Sequence, residues 1–181
     1  GLNWAKADSR FDLSKEENEP NKVGYVVEID PLNPNSTPKK HTALGRFKHE
    51  NAELVISKDG KIIVYMGDDE RGEYLYKYVS NKSINEVKDK STLLSNGNLY
   101  VAKFNDNFTG EWLLLDTQTT GLSSKAEVCI FTRLAASKVG ATTMDRPEWI
   151  ASNPEKNEVC CCLTNNKNRG IKTNKGGDKV E

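Results

Sequence analysis

The sequence has little of what marks several large classes of protein. No apolar run among its 181 residues approaches the roughly 18 residues of a membrane-spanning helix, so no membrane span is expected. Its 26 basic residues are balanced by 26 acidic residues, which leaves no basic footprint of the kind that binds nucleic acid. Nucleotide-binding, zinc-protease and serine-hydrolase motifs are missing. These absences leave a polar chain with 29% charged residues.

The first 20 residues lack the charged segment and following apolar segment of a signal peptide. They also do not resemble the start of a domain. We therefore expect the chain to begin inside a larger protein, with any targeting signal upstream of residue 1.

The chain has only four cysteines, and three of them are consecutive: Cys160, Cys161 and Cys162. This spacing does not fit a zinc knuckle, in which two residues separate the paired ligands. On a strand, Cys160 and Cys162 would face one side and Cys161 the other. We interpret them as small apolar strand residues, with a metal-thiolate or disulfide role as the alternative.

Short segments rich in β-branched and aromatic residues recur along the chain, with turn residues between them. One segment, residues 128–141, has helical character instead and ends near Gly140. The pattern predicts an all-β fold with a short inserted helix. The predicted strands lie within residues 24–31, 52–69, 73–80, 96–104, 110–118 and 148–166.

A weak internal repeat relates residues 51–69 to residues 146–166, since both run from an acidic residue through an apolar stretch and a turn into a second strand. Aligning the two turns gives an offset of 97 residues, from Asp59 to Lys156. Two propeller blades of about 40–50 residues would span that offset, with an intervening blade between the repeats. We predict a β-propeller with an incomplete set of blades over residues 1–170, followed by a polar, flexible tail over residues 171–181.

Acidic residues that flank the predicted strand starts are candidate ligands for hard cations, because propeller channels gather side chains from several blades. Any one of them alone is more often a solvated loop acid. The repeat pairs Glu148 with either Glu50 or Glu53 and leaves that choice open. Glu28 lies in an apolar run, where unpaired burial would cost several kcal/mol, so it either faces solvent or binds a cation. The candidates are Glu28, Glu50, Glu53, Asp68, Asp69 and Glu148.

The segment DRPE places an arginine, a proline and a glutamate in succession at the start of a predicted strand. Arg146 has a planar fork suited to phosphate or carboxylate. Pro147 favours an extended Arg146, which would put Arg146 and Glu148 on the same side. The plainer interpretation is a salt bridge from Arg146 to Asp145 or Glu148. The functional one is phosphate chemistry, with the guanidinium and a metal ion neutralising phosphoryl oxygens.

Three long segments resemble the PhoX family of bacterial alkaline phosphatases. They are GYVVEIDPLNPNSTPKKHTALGRFKHENA, VYMGDDERGEYLYKYVS, and DRPEWIASNP followed by LTNN. The resemblance extends from about residue 1 to about residue 170. It implies a β-propeller phosphomonoesterase with a mixed calcium and iron centre, acting on small phosphomonoesters.

The resemblance also implies roles for individual residues. Glu28 and Glu148 match metal-ligand glutamates, and Arg146 matches the catalytic arginine that contacts phosphate. Glu50 falls in a further family motif and is a candidate metal ligand, and Asp68 and Asp69 lie in another motif without an assigned role. The iron-ligating cysteine of the family would lie upstream, so this chain would carry part of the centre.

Family members are exported by the twin-arginine route, so the resemblance implies a periplasmic or secreted protein. We expect a monomer. Two alternatives remain open: a non-catalytic propeller segment that binds calcium, and a calcium-dependent lactonase-type propeller. Arg146 argues against the lactonase, which has no need of a phosphate-contacting arginine.

Overall fold

A computed structural model describes residues 3–171 of the chain. Except for Ile171, the predicted flexible tail lies outside these described residues. The strands are β1 (Val26–Glu28), β2 (Lys39–His41), β3 (His49–Ile56), β4 (Lys61–Asp68), β5 (Arg71–Glu73), β6 (Leu75–Ser83), β7 (Gly97–Phe104), β8 (Gly110–Leu115), β9 (Met144–Asp145), β10 (Pro147–Ser152) and β11 (Val159–Leu163). The α-helices are α1 (Trp4–Ala7), α2 (Thr117–Thr120), α3 (Lys125–Ile130) and α4 (Thr132–Lys138).

The main element is a five-stranded antiparallel sheet with the order β3-β4-β6-β7-β8. Three two-stranded sheets accompany it, β1-β2, β5-β9 and β10-β11. The prediction of a mostly β chain is confirmed, because the β-rich segments between turns form strands. The propeller arrangement stays a prediction, because the described sheets do not by themselves establish propeller blades.

The two halves of the internal repeat are both β-hairpins, but the intervening blade predicted between them is wrong. β6, β7 and β8 extend the sheet that β3 and β4 begin. The repeated hairpins instead touch directly, because Asn51 Nδ2 donates to the Ile150 carbonyl at 2.8 Å and Ile150 N–H donates to Asn51 Oδ1 at 3.1 Å. A sequence offset reports similar local patterns and carries no information on which strands pair.

The inserted helix is present, but it is divided and begins earlier than predicted. Ser124 caps α3 by accepting a hydrogen bond from Glu127 N–H, which starts the helix at Lys125. Phe131, at φ −105° and ψ 44°, separates α3 from α4. Gly140 follows α4 at φ +72°, where a left-handed residue ends the helix. No described helix is long and apolar enough to cross a membrane.

The five-stranded sheet is buried on both faces. On one face the larger core cluster includes Val64, Met66 and Tyr76 and extends to helices α3 and α4. On the other face, Tyr65 and Ile150 belong to a second cluster that holds the β10-β11 hairpin against the sheet. The cysteines of β11 alternate as predicted, with Cys161 packed on the second cluster and its two neighbours exposed.

Candidate functional site

The candidate site lies where the DRPE segment crosses the end of β4. A Cβ atom built on Gly67 would lie 2.6 Å from the carbonyl oxygens of both Pro147 and Glu148. Only a glycine allows two backbones to approach this closely. The glycine of the MGDDE motif therefore brings Asp69, just beyond β4, beside Arg146 and Glu148.

Arg146 departs from the extended conformation that its following proline predicts. Its φ is +57°, in the left-handed region that non-glycine residues seldom occupy. Such a conformation costs of order 1–3 kcal/mol and persists only where surrounding contacts hold it. The expectation that Arg146 lies close to Glu148 is nevertheless met, since Arg146 Nη2 is 3.0 Å from Glu148 Oε1. The contact comes from tertiary packing and not from strand alternation.

Asp69 makes the strongest contact with the Arg146 guanidinium. Arg146 Nε donates to Asp69 Oδ1 at 2.8 Å, and Nη2 donates to Asp69 Oδ2 at 3.0 Å. This bidentate pair raises the pKa of Arg146, and about a quarter of the side chain is exposed, at 26%. Within residues 3–171, no described hydrogen bond or ion pair involves Nη1.

The neighbouring Asp68 forms a second bidentate pair in a different environment. Its carboxylate is fully buried and accepts from Arg133 Nε at 2.7 Å and from Nη2 at 2.6 Å. It also accepts from Lys48 N–H at 3.2 Å. Burial raises the pKa of Asp68, and the bonds from Arg133 oppose that shift. Asp68 is therefore tied to helix α4 and has no open face for a ligand.

Two further residues complete the surroundings of the DRPE segment. Thr164 Oγ1 donates to Glu148 Oε1 at 3.1 Å, which fixes the carboxylate from the end of β11. Asp145 pairs with the exposed Arg169 and not with Arg146, and this pairing lowers the pKa of Asp145. The predicted salt bridge from Arg146 to Glu148 is present, whereas the alternative to Asp145 is absent.

Glu28 lies in a separate place. Its Oε2 is 2.7 Å from Nε2 of His41, which is buried although its polar sequence context indicates a surface position. Glu28 borders a groove that includes Ile62, near the start of β4, whereas Asp69 follows the end of that strand. These two ends lie about 20 Å apart along the strand. No described contact brings Glu28 to Arg146 or Glu148.

Glu50 and Glu53 differ in their surroundings although they share β3. Glu50 is exposed and makes no described hydrogen bond or ion pair. Glu53 accepts hydrogen bonds from the backbone and hydroxyl of Ser152, and these bonds lower its pKa. Glu53 thereby links the two hairpins. Its carboxylate accepts hydrogen bonds from the protein, whereas the carboxylate of Glu50 has no described partner.

The carboxylates are suited to hard cations by their oxygen donors. Within residues 3–171, however, no three side chains of histidine, cysteine, aspartate or glutamate come together in an arrangement that holds a metal ion. Glu28 and Glu148 each offer single donors at separate positions. The described residues by themselves thus do not fit a complete metal centre.

The comparisons with known proteins decide the family. The chain matches the family described as alkaline phosphatase PhoX over residues 1–180. The chain belongs to the PhoX family. The earlier resemblance, carried by the motifs around Glu28, Asp69 and Arg146, is confirmed.

A solved PhoX structure shows how far this relationship extends. It is Pseudomonas fluorescens PhoX in complex with vanadate, described as a transition-state analogue. The similarity has a TM-score of 0.87 and 49% sequence identity, and it covers 98% of this chain but 33% of that PhoX chain. This chain therefore spans about a third of the length of that relative. No curated protein matches the chain.

Sequence reasoning missed the partners that hold the site together. Asp69, Arg133 and Thr164 had no assigned contact, and the polar sequence around His41 does not indicate that this residue is buried. The only available signal was the pair of adjacent acids in MGDDE, each of which needs a counter-charge or water. Nothing in the sequence states which distant arginine each acid binds.

Proposed function

We propose that this chain carries the phosphate-contacting part of a metal-dependent alkaline phosphatase that hydrolyses small phosphomonoesters. The observation that supports this most directly is the guanidinium of Arg146, which is held on one edge by Asp69 while about a quarter of the side chain is exposed. A fixed cationic donor in a partly exposed position suits the charge on phosphoryl oxygens. Membership of the PhoX family and the similarity to a PhoX bound to vanadate support the same reaction.

In this proposal Arg146 binds the phosphoryl group through Nη1, with Nη2 close beside it. The Nε–Nη2 fork is occupied by Asp69, so the arginine does not grip phosphate through that fork. Glu148, the exposed Glu50 and, at a separate position, Glu28 are the candidate metal ligands, and each would need further ligands from other segments of the protein to hold calcium or iron. Such metal ions, when bound, neutralise charge on the phosphoryl oxygens. The described residues do not supply all the ligands, so other segments of the protein complete the centre.

The cellular setting belongs to the proposal as well. PhoX family membership supports an exported enzyme that acts in the periplasm or outside the cell, and we propose that it is a monomer. Fractionation of cells that make the full-length protein tests the location, and retention in the cytoplasm would contradict it. Light scattering of the purified protein tests the monomer.

The decisive experiment measures inhibition of the full-length enzyme by inorganic phosphate and by vanadate. We expect Arg146→Ala to weaken both by about ten- to a hundredfold, because it removes a charged hydrogen-bond donor from the bound anion. Arg169→Ala is the matched control, since it removes an exposed arginine from the same surface and should leave inhibition unchanged. Unchanged inhibition in Arg146→Ala would remove the proposed phosphate role. Absence of phosphomonoester turnover in the metal-loaded, full-length protein would instead favour a non-catalytic calcium-binding role.

A further inference from the structure

The inference concerns how Arg146 reaches its orientation. An arginine side chain has several rotatable bonds, and its planar guanidinium can point in many directions before an anion arrives. Freezing that freedom during binding weakens the interaction, so a guanidinium that is already fixed binds better. The question is which residue fixes it.

We propose that Asp69 is a positioning residue that fixes the Arg146 guanidinium and turns Nη1 toward the phosphoryl group. This inference rests on the proposed phosphate role of Arg146. Asp69 holds both Nε and Nη2, at 2.8 and 3.0 Å, and so defines the guanidinium plane. Glu148 contacts only Nη2, through one oxygen. A single contact of this kind does not fix the plane of the guanidinium.

Asp69 is itself held firmly. Its backbone N–H donates to the Lys48 carbonyl at 3.0 Å. The preceding Asp68 is anchored by Arg133 on helix α4, and Glu70 N–H donates to the Asp68 carbonyl at 2.7 Å. The short turn after β4 is therefore fixed on both sides of Asp69, which gives the carboxylate a defined position.

The competing interpretation is that the pair only ties β4 to the DRPE segment. Gly67 already brings these backbones together, through its contacts with Pro147 and Glu148. A purely structural ion pair would affect stability and would leave the inhibition constant of phosphate unchanged. A positioning role would affect anion binding, and only while the arginine is present.

A double-mutant cycle in the full-length, metal-loaded enzyme distinguishes these roles. The variants are Asp69→Asn, Arg146→Lys and the combination, and the readouts are the inhibition constant of inorganic phosphate, kcat and KM, melting temperature and metal content. Lysine keeps the charge at position 146 but lacks the fork. We expect Asp69→Asn to raise the phosphate inhibition constant about tenfold beside Arg146, and less than about twofold in the Arg146→Lys background. Asp59→Asn, in an exposed turn, is the control and should change none of these readouts.

Each other outcome has a defined meaning. An equal rise in both backgrounds, or a lower melting temperature with an unchanged inhibition constant, would overturn the positioning role alone. Unchanged phosphate inhibition in Arg146→Lys and Arg146→Ala would overturn the proposed function on which the inference rests. If Asp69→Asn does not fold, Asp69→Glu replaces it, because it keeps the charge and displaces the two oxygens. Asp69→Glu must then also raise the phosphate inhibition constant more beside Arg146 than in the Arg146→Lys background.

Discussion

Asp68 and Asp69 are adjacent in the chain, and each binds an arginine through two hydrogen bonds. Their environments differ sharply. Asp68 is fully buried and its partner Arg133 is 15% exposed, whereas Asp69 and Arg146 are 21% and 26% exposed. The first pair joins helix α4 to the sheet, and the second lies at an accessible edge. The buried pair therefore holds elements of the fold together, and the more exposed pair is the one that we propose contacts the phosphoryl group.

The two ion pairs differ in the free energy that is lost when either one is broken. A buried charge without its partner costs several kcal/mol, so the Asp68–Arg133 pair must stay closed. A partly exposed pair is solvated and screened, and breaking it costs much less. Under the proposed function, Arg146 would share its guanidinium with an incoming anion while it stays bound to Asp69.

The largest expected effect comes from opening the buried pair. Arg133→Met leaves Asp68 without its counter-charge and should lower the free energy of unfolding by about 3–5 kcal/mol. Denaturant unfolding of the full-length protein measures this loss. Arg169→Met is the control, because its side chain is 55% exposed and its removal should cost little. A loss below about 1 kcal/mol for Arg133→Met would contradict the expectation that the buried Asp68–Arg133 pair contributes more to stability than the exposed Asp69–Arg146 pair.

An intermediate effect should follow from a change at Gly67, which shifts the Asp69–Arg146 pair without replacing either of its residues. Gly67→Ala places a methyl group against two carbonyl oxygens, at 2.6 Å, and should destabilise the protein by about 1–3 kcal/mol. Because the DRPE segment must then move away from Asp69, phosphate inhibition should weaken as well. Thermal unfolding and the phosphate inhibition constant measure these two effects.

Gly110→Ala is the matched control for this glycine variant. The nearest atom to its added methyl group is a ring carbon of Phe104 at 3.2 Å, and that exposed side chain can move. It should leave phosphate inhibition unchanged. If Gly67→Ala also leaves inhibition unchanged, the close backbone approach does not position Arg146.

The smallest expected effect concerns a third pair, Asp145 with Arg169, which extends the comparison to an exposed position. Asp145→Asn should lower the free energy of unfolding by less than about 1 kcal/mol at neutral pH. Arg169 lowers the pKa of Asp145 below 3.8, so the pair stabilises the folded state above that pH. This contribution is lost as the pH falls through the lowered value. Unfolding curves from pH 7 to pH 2 measure it, and a larger loss at neutral pH would contradict the ranking by exposure.

Much of the fold could be predicted because it depends on neighbours in the sequence. The hairpin of β3 and β4 follows from two segments rich in apolar and β-branched residues on either side of a turn with Gly60 at φ +80°. The alternation of Cys160 to Cys162 follows from strand geometry alone. The division of the helix at Phe131 and the burial of His41 could not be predicted in this way, because both depend on packing against distant segments.

The sequence by itself determined the strands, the hairpins and the family, because strand periodicity, turn residues and long motifs are local properties. Only the tertiary structure decided which acid binds which arginine. Asp68 and Asp69 lie 65 and 77 residues from their partners, and adjacent strand residues point in opposite directions. The close passage of DRPE over Gly67 then placed Arg146 beside Asp69.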